Sequence, residues 1–312
     1  MRRVLSLLLL ILLSACQLYR PPQPITVRVG VLPILDVLPI YVAEAQGYFP
    51  KELKLEIIPV ASAAERDQLM AAGQLDVIVN DLLSVALYNK EKPTVLVVRI
   101  ARAATPSFPQ FYILASPKSE IRTVEDLKGV AIGISEATII QYVTERLLQA
   151  EGLKPEEIKE VPVPRIPDRM AALASGDLKA ATLPDPMALL AMQQGARLIL
   201  DDSRHPFYSL SVYSFRKDFV QKHPEAVRAF LQAIEKAVKD INSDKARWAG
   251  LLVEKKLVPP ALTGSYTIPD FPTASVPKKE QWDDVIDWAI GKGLIQARLA
   301  YEDSVKAEFL SK

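Results

Sequence analysis

The sequence predicts an α/β protein of two similar lobes, each a mostly parallel sheet flanked by helices, joined by a two-segment hinge. Three observations predict this. From residue 27 onward, short apolar runs alternate with amphipathic stretches, the pattern of βαβ units. The same order of glycines and strand ends then returns at a constant offset of 103 residues. The last third of the chain carries one further strand and several helices but no third glycine-marked unit. Those segments must pack on what precedes them, most simply on the first lobe.

The first segment reads as an address. Arg2 and Arg3 form a basic start, Val4 to Leu13 an apolar run, and Leu13-Ser14-Ala15 leads to Cys16, the only cysteine. This is the layout of a secretory signal peptide, and its end resembles the lipobox of bacterial lipoproteins. The resemblance implies cleavage before Cys16 and lipidation of its thiol. The apolar run is too short to span a bilayer, which takes about 20 residues. A lone cysteine also has no partner for an internal disulfide. Gln17 to Pro24 is polar and proline-rich and reads as a tether. The expected organisation is a signal over 1–15, a lipid-anchored linker over 16–25, and then the lobes.

The elements follow in order. Val27 to Leu32 is a strand, and Leu38 to Gln46 a helix that Gly47 stops. Leu55 to Val60 is the next strand. Ser62-Ala63-Ala64-Glu65 has the spacing of a capping box and opens a helix that Gly73 closes. Asp76 to Asn80 is a third strand, and Asp81 can cap the helix after it. The second lobe starts near Phe111 and repeats this order. Val29-Gly30-Val31 corresponds to Ile132-Gly133-Ile134, Pro59-Val60 to Pro162-Val163, and Gly73-Gln74-Leu75 to Gly176-Asp177-Leu178. A helix is expected over Ile139 to Ala150 and strands over Ala180 to Leu183, Arg197 to Asp201 and Ser209 to Phe215. Pro224 sits in the first turn of a long helix, with Ala226 to Ile241 apolar at helical spacing. Further helices are expected over 244–256, 279–292 and 301–310. The first lobe is then 26–106 plus 207–312, the second 107–206, with crossovers near 103–111 and 201–209. Two crossovers make a hinge, and a ligand belongs in the cleft between the lobes.

Composition narrows the function classes. Charged residues are 24% and apolar residues 49% of the chain, an ordinary globular balance. A formal net charge of +1 gives no sign of a nucleic-acid-binding face. After the signal no apolar run reaches transmembrane length. With two histidines and one cysteine there is no His/Cys cluster or H-E-x-x-H for a metal. No G-x-x-x-x-G-K-[ST] occurs, so no P-loop nucleotide site is expected in this chain. No cofactor is expected.

The segments EAQGYFPKELKLEIIPV, AAGQLDVIVND, TVEDLKGVAIGIS, ASGDLKAATLPDP and KDFVQKHPEAVRAFLQA resemble periplasmic solute-binding proteins of ABC importers. The branch is that of the sulfonate-, taurine- and nitrate-binding proteins and of the binders of thiamin pyrimidine precursors and riboflavin. The likeness runs over residues 27–310. It implies a type 2 periplasmic-binding-protein fold that closes on a small molecule and then docks on a membrane permease with its ATPase subunit. It also implies an extracytoplasmic, membrane-anchored, monomeric protein that is not an enzyme. One departure stands out. Where many relatives carry Glu-Pro after the strand Ala180 to Leu183, this chain has Pro184-Asp185-Pro186.

Ligands of open α/β sheets sit at the carboxyl ends of strands, often at helix N-termini. Four loops qualify: 33–38, 80–84, 135–138 and 184–187. They contain the candidate ligand-binding residues Asp36, Asp81, Ser135, Glu136, Thr138 and Asp185, and Ser107 at the first crossover joins them. Asp81, Ser135 and Thr138 are equally placed to cap helices. Tyr41, Phe108, Phe111 and Tyr208 could stack on a planar ligand. Asp36, Asp81, Glu136 and Asp185 give these loops four carboxylates and no cation, although Arg102 and Arg169 lie near enough to reach the cleft. This charge favours a planar heterocyclic, vitamin-like ligand over a sulfonate, taurine or nitrate, which is the alternative.

Two enzyme readings compete. Gly133-Ile134-Ser135-Glu136-Ala137 falls one glycine short of a nucleophile elbow, and Asp168, Asp185, His205 and His223 follow it, so a secreted acyl hydrolase using Ser135 is conceivable. The chain is also distantly similar to eukaryotic thiamin-pyrimidine synthases, which carry a cysteine-rich, iron-associated segment that this chain lacks. The binding-protein reading is preferred to both.

Overall fold

The structure, a computed structural model, describes residues 23–310. The signal segment, Cys16 and the tether up to residue 22 lie outside the described residues. β1 (Ile25–Val31) leads through a 3-10 turn into α1 (Leu38–Ala45), followed by β2 (Leu53–Pro59), α2 (Ala63–Ala71), β3 (Val77–Asn80), α3 (Leu82–Asn89) and β4 (Val95–Ala103). Beyond the first crossover come β5 (Phe111–Ala115), β6 (Ala131–Ile134), α4 (Ile139–Ala150), β7 (Lys159–Pro162), α5 (Ile166–Ser175), β8 (Ala180–Pro184), α6 (Met187–Gln193) and β9 (Arg197–Asp201). The chain returns as β10 (Leu210–Arg216). It ends in α7 (Lys217–Lys222), α8 (Pro224–Ser243), α9 (Ala249–Glu254), α10 (Lys279–Gly291) and α11 (Tyr301–Ser304).

Two five-stranded sheets result, ordered β2-β1-β3-β10-β4 and β7-β6-β8-β5-β9. β1 runs parallel to β2 and β3, and β6 parallel to β7 and β8. In each sheet the antiparallel member is the strand that has just crossed over. β10 lies between β3 and β4, and β5 between β8 and β9. Both crossovers therefore end inside a sheet and not at its edge, which ties the two halves together at their centres.

The internal repeat has a packing cause. A Cβ added to Gly30 in β1 would meet Leu75 Cδ1 at 2.5 Å, and one added to Gly133 in β6 would meet Leu178 Cδ1 at the same distance. Each lobe thus seats a leucine against the bare backbone of the strand next to the sheet edge. A second duplicated contact is absent from the repeat motifs. Arg66 of α2 donates to the Val79 carbonyl at 3.1 Å, and Arg169 of α5 donates to the Thr182 carbonyl at 2.9 Å. Each buried guanidinium fastens a helix to the neighbouring strand.

Local signals act as expected at the starts of α2, α3, α4 and α8. Ser62 accepts from the Glu65 N–H at 3.1 Å, although the Glu65 carboxylate reaches back to the Ala61 N–H at 2.7 Å and not to that of Ser62. In α8 the buried positions Val227, Phe230, Leu231, Ile234, Val238 and Ile241 form the stripe that packs on the first core. Two C-terminal helices are shorter than their expected spans. Within 244–256, a 3-10 turn over Ala246–Trp248 buries the Trp248 ring before α9 begins. Within 301–310, α11 is a single turn, because Val305 bridges to Val97 on β4 and the Lys306 N–H donates to the Val97 carbonyl at 2.8 Å. Backbone pairing with the outer strand of the sheet replaces further helix there. α10 lies against both halves of the molecule. Its Trp282 and Val285 share a core cluster with Leu82 and Val85 of α3 and with Tyr142 and Val143 of α4. Asp284 accepts from the Tyr142 hydroxyl at 2.7 Å and from Arg146 Nε at 2.8 Å. Among the described residues no helix is long and apolar enough to cross a membrane.

Candidate functional site

The centre of the site is Arg102, next to the last residue of β4 and 3% exposed. β4 delivers it to the end of the sheet from which the chain crosses over. Its Nη2 lies 2.7 Å from Asp185 Oδ2, at the end of β8 in the other sheet. Its Nη1 lies 3.8 Å from Asp36 Oδ2, in the turn after β1. The Ser211 hydroxyl, near the start of β10, donates to Asp36 Oδ1. The Tyr266 hydroxyl, from the loop before α10, donates to Asp185 Oδ2 at 2.5 Å. One guanidinium is thus held between two carboxylates from different sheets, and each carboxylate has its own hydroxyl donor.

These groups border a cavity of ≈ 170 Å³ whose walls include Arg102, Ser107, Phe108, Tyr112, Asp185 and Tyr266. Its polar groups are strongly perturbed. Burial alone would lower the Arg102 guanidinium, but Asp185 and Asp36 outweigh burial and hold it above its ordinary value. Burial pushes the Asp185 carboxyl up, against the pull of Arg102. Tyr266 and Tyr112 are raised, first by burial and then by the Asp185 charge. Both phenols therefore stay protonated and can donate. Arg102 Nε is buried without an acceptor.

Of the residues singled out from the sequence, the structure brings Asp36, Ser107 and Asp185 together around Arg102 and its cavity. Asp81 and the loop 135–138 are not among the residues that line it. The Asp81 carboxylate accepts from the Ser84 N–H and hydroxyl, both at 2.9 Å, and so caps α3. Thr138 caps α4 through the Ile140 N–H at 3.2 Å, and its hydroxyl donates to the Ser135 carbonyl at 2.7 Å. Glu136 is exposed. Arg169 is fully buried, with Nη1 donating to the Val163 carbonyl at 2.7 Å, so it anchors strand ends and does not face the cavity. Of the four candidate aromatics, Phe108 lines the cavity, whereas Tyr208 packs edge-on against Tyr142 at 6.3 Å. The hydrolase pairing is not assembled either. His205 Nε2 bonds Glu151 at 2.7 Å, and the His223 ring lies 5.1 Å from that of Phe219.

Sequence reasoning missed Tyr266, Ser211 and Tyr112. Tyr266 sits in an irregular stretch with no repeat counterpart to flag it. Ser211 and Tyr112 lie near the starts of β10 and β5, whereas the sequence expectation falls on strand ends. Because these two strands run antiparallel, their starts share an edge with the ends of the others. Asp202, in the second crossover, was also unmarked. Its carboxylate accepts from the Gln110 and Phe111 N–H groups of the first crossover, at 2.8 and 3.1 Å.

With this geometry in hand, comparisons with known proteins place the chain. A family described as NMT1/THI5 like matches residues 35–246. The taurine-binding periplasmic protein of Escherichia coli (strain K12) is 29% identical over 147 residues, covering 43% of this chain and 45% of the relative. A protein of Haemophilus influenzae named for thiamine biosynthesis is 29% identical over 129 residues, 41% of this chain and 40% of the relative. The chain thus spans less than half the length of either curated relative. The alkanesulfonate-binding protein of Xanthomonas axonopodis pv. citri, solved with MOPS bound, superposes with a TM-score of 0.74 at 20% identity, over 92% of this chain and 99% of that one. At that identity the likeness carries the fold, which is that of a periplasmic solute-binding protein.

Proposed function

The chain belongs to the NMT1/THI5-like family, and from that premise we propose that it is the extracytoplasmic solute-binding subunit of an ABC importer. In this reading residues 26–106 plus 207–312 form one lobe and 107–206 the other. A small solute is captured between them, and the closed form docks on a permease whose partner subunit hydrolyses ATP. Cys16 carries the lipid that keeps the monomer at the membrane. The observation that supports the reading most is the Arg102–Asp185 contact, 2.7 Å across from one sheet to the other. A solute that engages the groups around it touches both halves, and only a ligand that binds both lobes favours closure.

The ligand proposed is planar and heterocyclic, of the size of a vitamin precursor. Phe108, Tyr112 and Tyr266 supply flat walls, while Arg102, Asp185, Asp36 and Ser107 supply donors and acceptors. Asp81, Ser135, Glu136 and Thr138, at other strand ends, lie outside the walls of this cavity and are not part of the proposed set. A second reading, a sulfonate, taurine or nitrate, draws support from the taurine-binding relative and from the buried guanidinium on the cavity wall.

Thermal-shift measurement on residues 17–312, the mature chain without its lipidated cysteine, against pyrimidines, flavins, sulfonates and nitrate tests the proposal. Saturation at a hundred times Kd stabilises by about 2.7 kcal/mol, so one class is expected to raise Tm by about 4 °C. No shift with any class at millimolar concentration would overturn the reading.

A further inference from the structure

The charge of the cavity is uneven. Arg102 has two carboxylate neighbours, Asp185 at 2.7 Å and Asp36 at 3.8 Å, and the three side chains are only 4%, 4% and 13% exposed. Asp185 is the closer partner and pairs with Arg102 directly, while Asp36, fixed from its own side by the Ser211 hydroxyl, lies farther off. One guanidinium faces two carboxylates, so the group keeps one negative charge in excess, and Asp185 is the carboxylate of the two that lines the cavity. Tyr266 donates a hydrogen bond to it but no charge. Lys245, over the Phe108 ring at 5.4 Å, does not cancel it either, because its ammonium is bound to Asp270 at 2.7 Å. The raised Asp185 carboxyl is what burial does to an acid whose charge is incompletely balanced.

A further feature describes what fits. The rings of Phe108, Tyr112 and Tyr266 bound the space, and aromatic faces attract flat cations. A sulfonate here would add a second uncancelled negative charge beside Asp185. It would have to draw Arg102 away from carboxylates that already occupy it.

We propose that the ligand of this cavity is a planar cation, of the protonated amino-heterocycle or amidinium type, whose N–H groups donate to Asp185 and whose charge completes the Arg102–Asp36–Asp185 balance. This rests on the solute-binding reading and deepens it by fixing the sign of the ligand's charge. Asp185 then sets specificity, and Asp36 acts on it through Arg102.

Isothermal titration of the mature chain with benzamidine, benzamide and benzenesulfonate, three flat probes of similar size, tests the sign. Benzamidine is expected to bind at least about tenfold more tightly than benzamide, and benzenesulfonate most weakly. Asp185→Asn and Asp36→Asn are each expected to abolish the preference for the cation, with circular dichroism confirming that both variants remain folded. Tightest binding by benzenesulfonate, or an unchanged preference for benzamidine in both variants, would overturn the proposal. Tight binding of an anionic or neutral solute in the thermal-shift screen, with benzamidine inert, would overturn the charge assignment while leaving the solute-binding reading intact. Binding of no compound in either set would overturn both.

Discussion

Asp202 shows how much one side chain can hold in a two-crossover protein. It is fully buried in the second crossover and accepts two backbone N–H groups of the first, so it joins the two connections that any lobe motion must bend. Asp202→Ala strands the Gln110 and Phe111 N–H groups, each at a cost of about 1–3 kcal/mol, and is expected to lower Tm accordingly. Burial pushes the Asp202 carboxyl up to about 6, outweighing its two backbone donors. The folded state therefore holds this proton more tightly than the unfolded chain, for which about 3.9 is ordinary. Its contribution to stability is full below about 4 and is lost as pH rises through 6. Melting curves of the wild type and Asp202→Asn from pH 4 to 7 are expected to converge as pH rises, the wild type losing more. Parallel curves would contradict this. At this scale the sequence was a partial guide. Asp36, Ser107 and Asp185 were legible because strand ends and crossovers are where α/β folds present side chains. Asp81 and Thr138 carried the same signal and serve as caps, since the residue types that cap helices are those that bind ligands. Tyr266 was not legible, because its partner Asp185 is brought to it only by tertiary packing.

At the scale of elements, the glycine-marked repeat is a statement about packing. Gly30 and Gly133 occupy equivalent places because Leu75 and Leu178 press on them from equivalent loops. Gly133→Ala is expected to destabilise by about 1–3 kcal/mol by overpacking. Gly250→Ala, in α9 where an added Cβ meets nothing within 4 Å, is expected to be neutral or stabilising by about 0.5–1 kcal/mol. Equal effects in denaturant titrations would sink the packing account. Strong local signals placed β1, α4, β9 and α8 within a residue or two. The C-terminal segments were harder to read because non-local contacts decide them. Val305 leaves a helical pattern to pair with Val97, and Trp248 turns inward to reach the first core. Hydrophobic periodicity reports which side chains seek burial, not which edge or core receives them.

For the whole molecule, two sheets are joined by crossovers that end in their interiors and by a charged bridge, and the proposed function has this body bend about the crossovers. The proposed lipid at Cys16 would hold such a body beside its transporter through a tether long enough to leave bending free. α10 packs against α3 and α4 at once, and Asp284 holds Tyr142 and Arg146 of α4 to it. The central claim is that a small solute draws two lobes together. Small-angle X-ray scattering on residues 17–312, with and without a saturating concentration of a solute that raises Tm, measures this directly. The radius of gyration is expected to fall on binding, and to fall less in Asp185→Asn, which lacks the bridging charge. A radius of gyration unchanged by a solute shown to be bound would contradict the account.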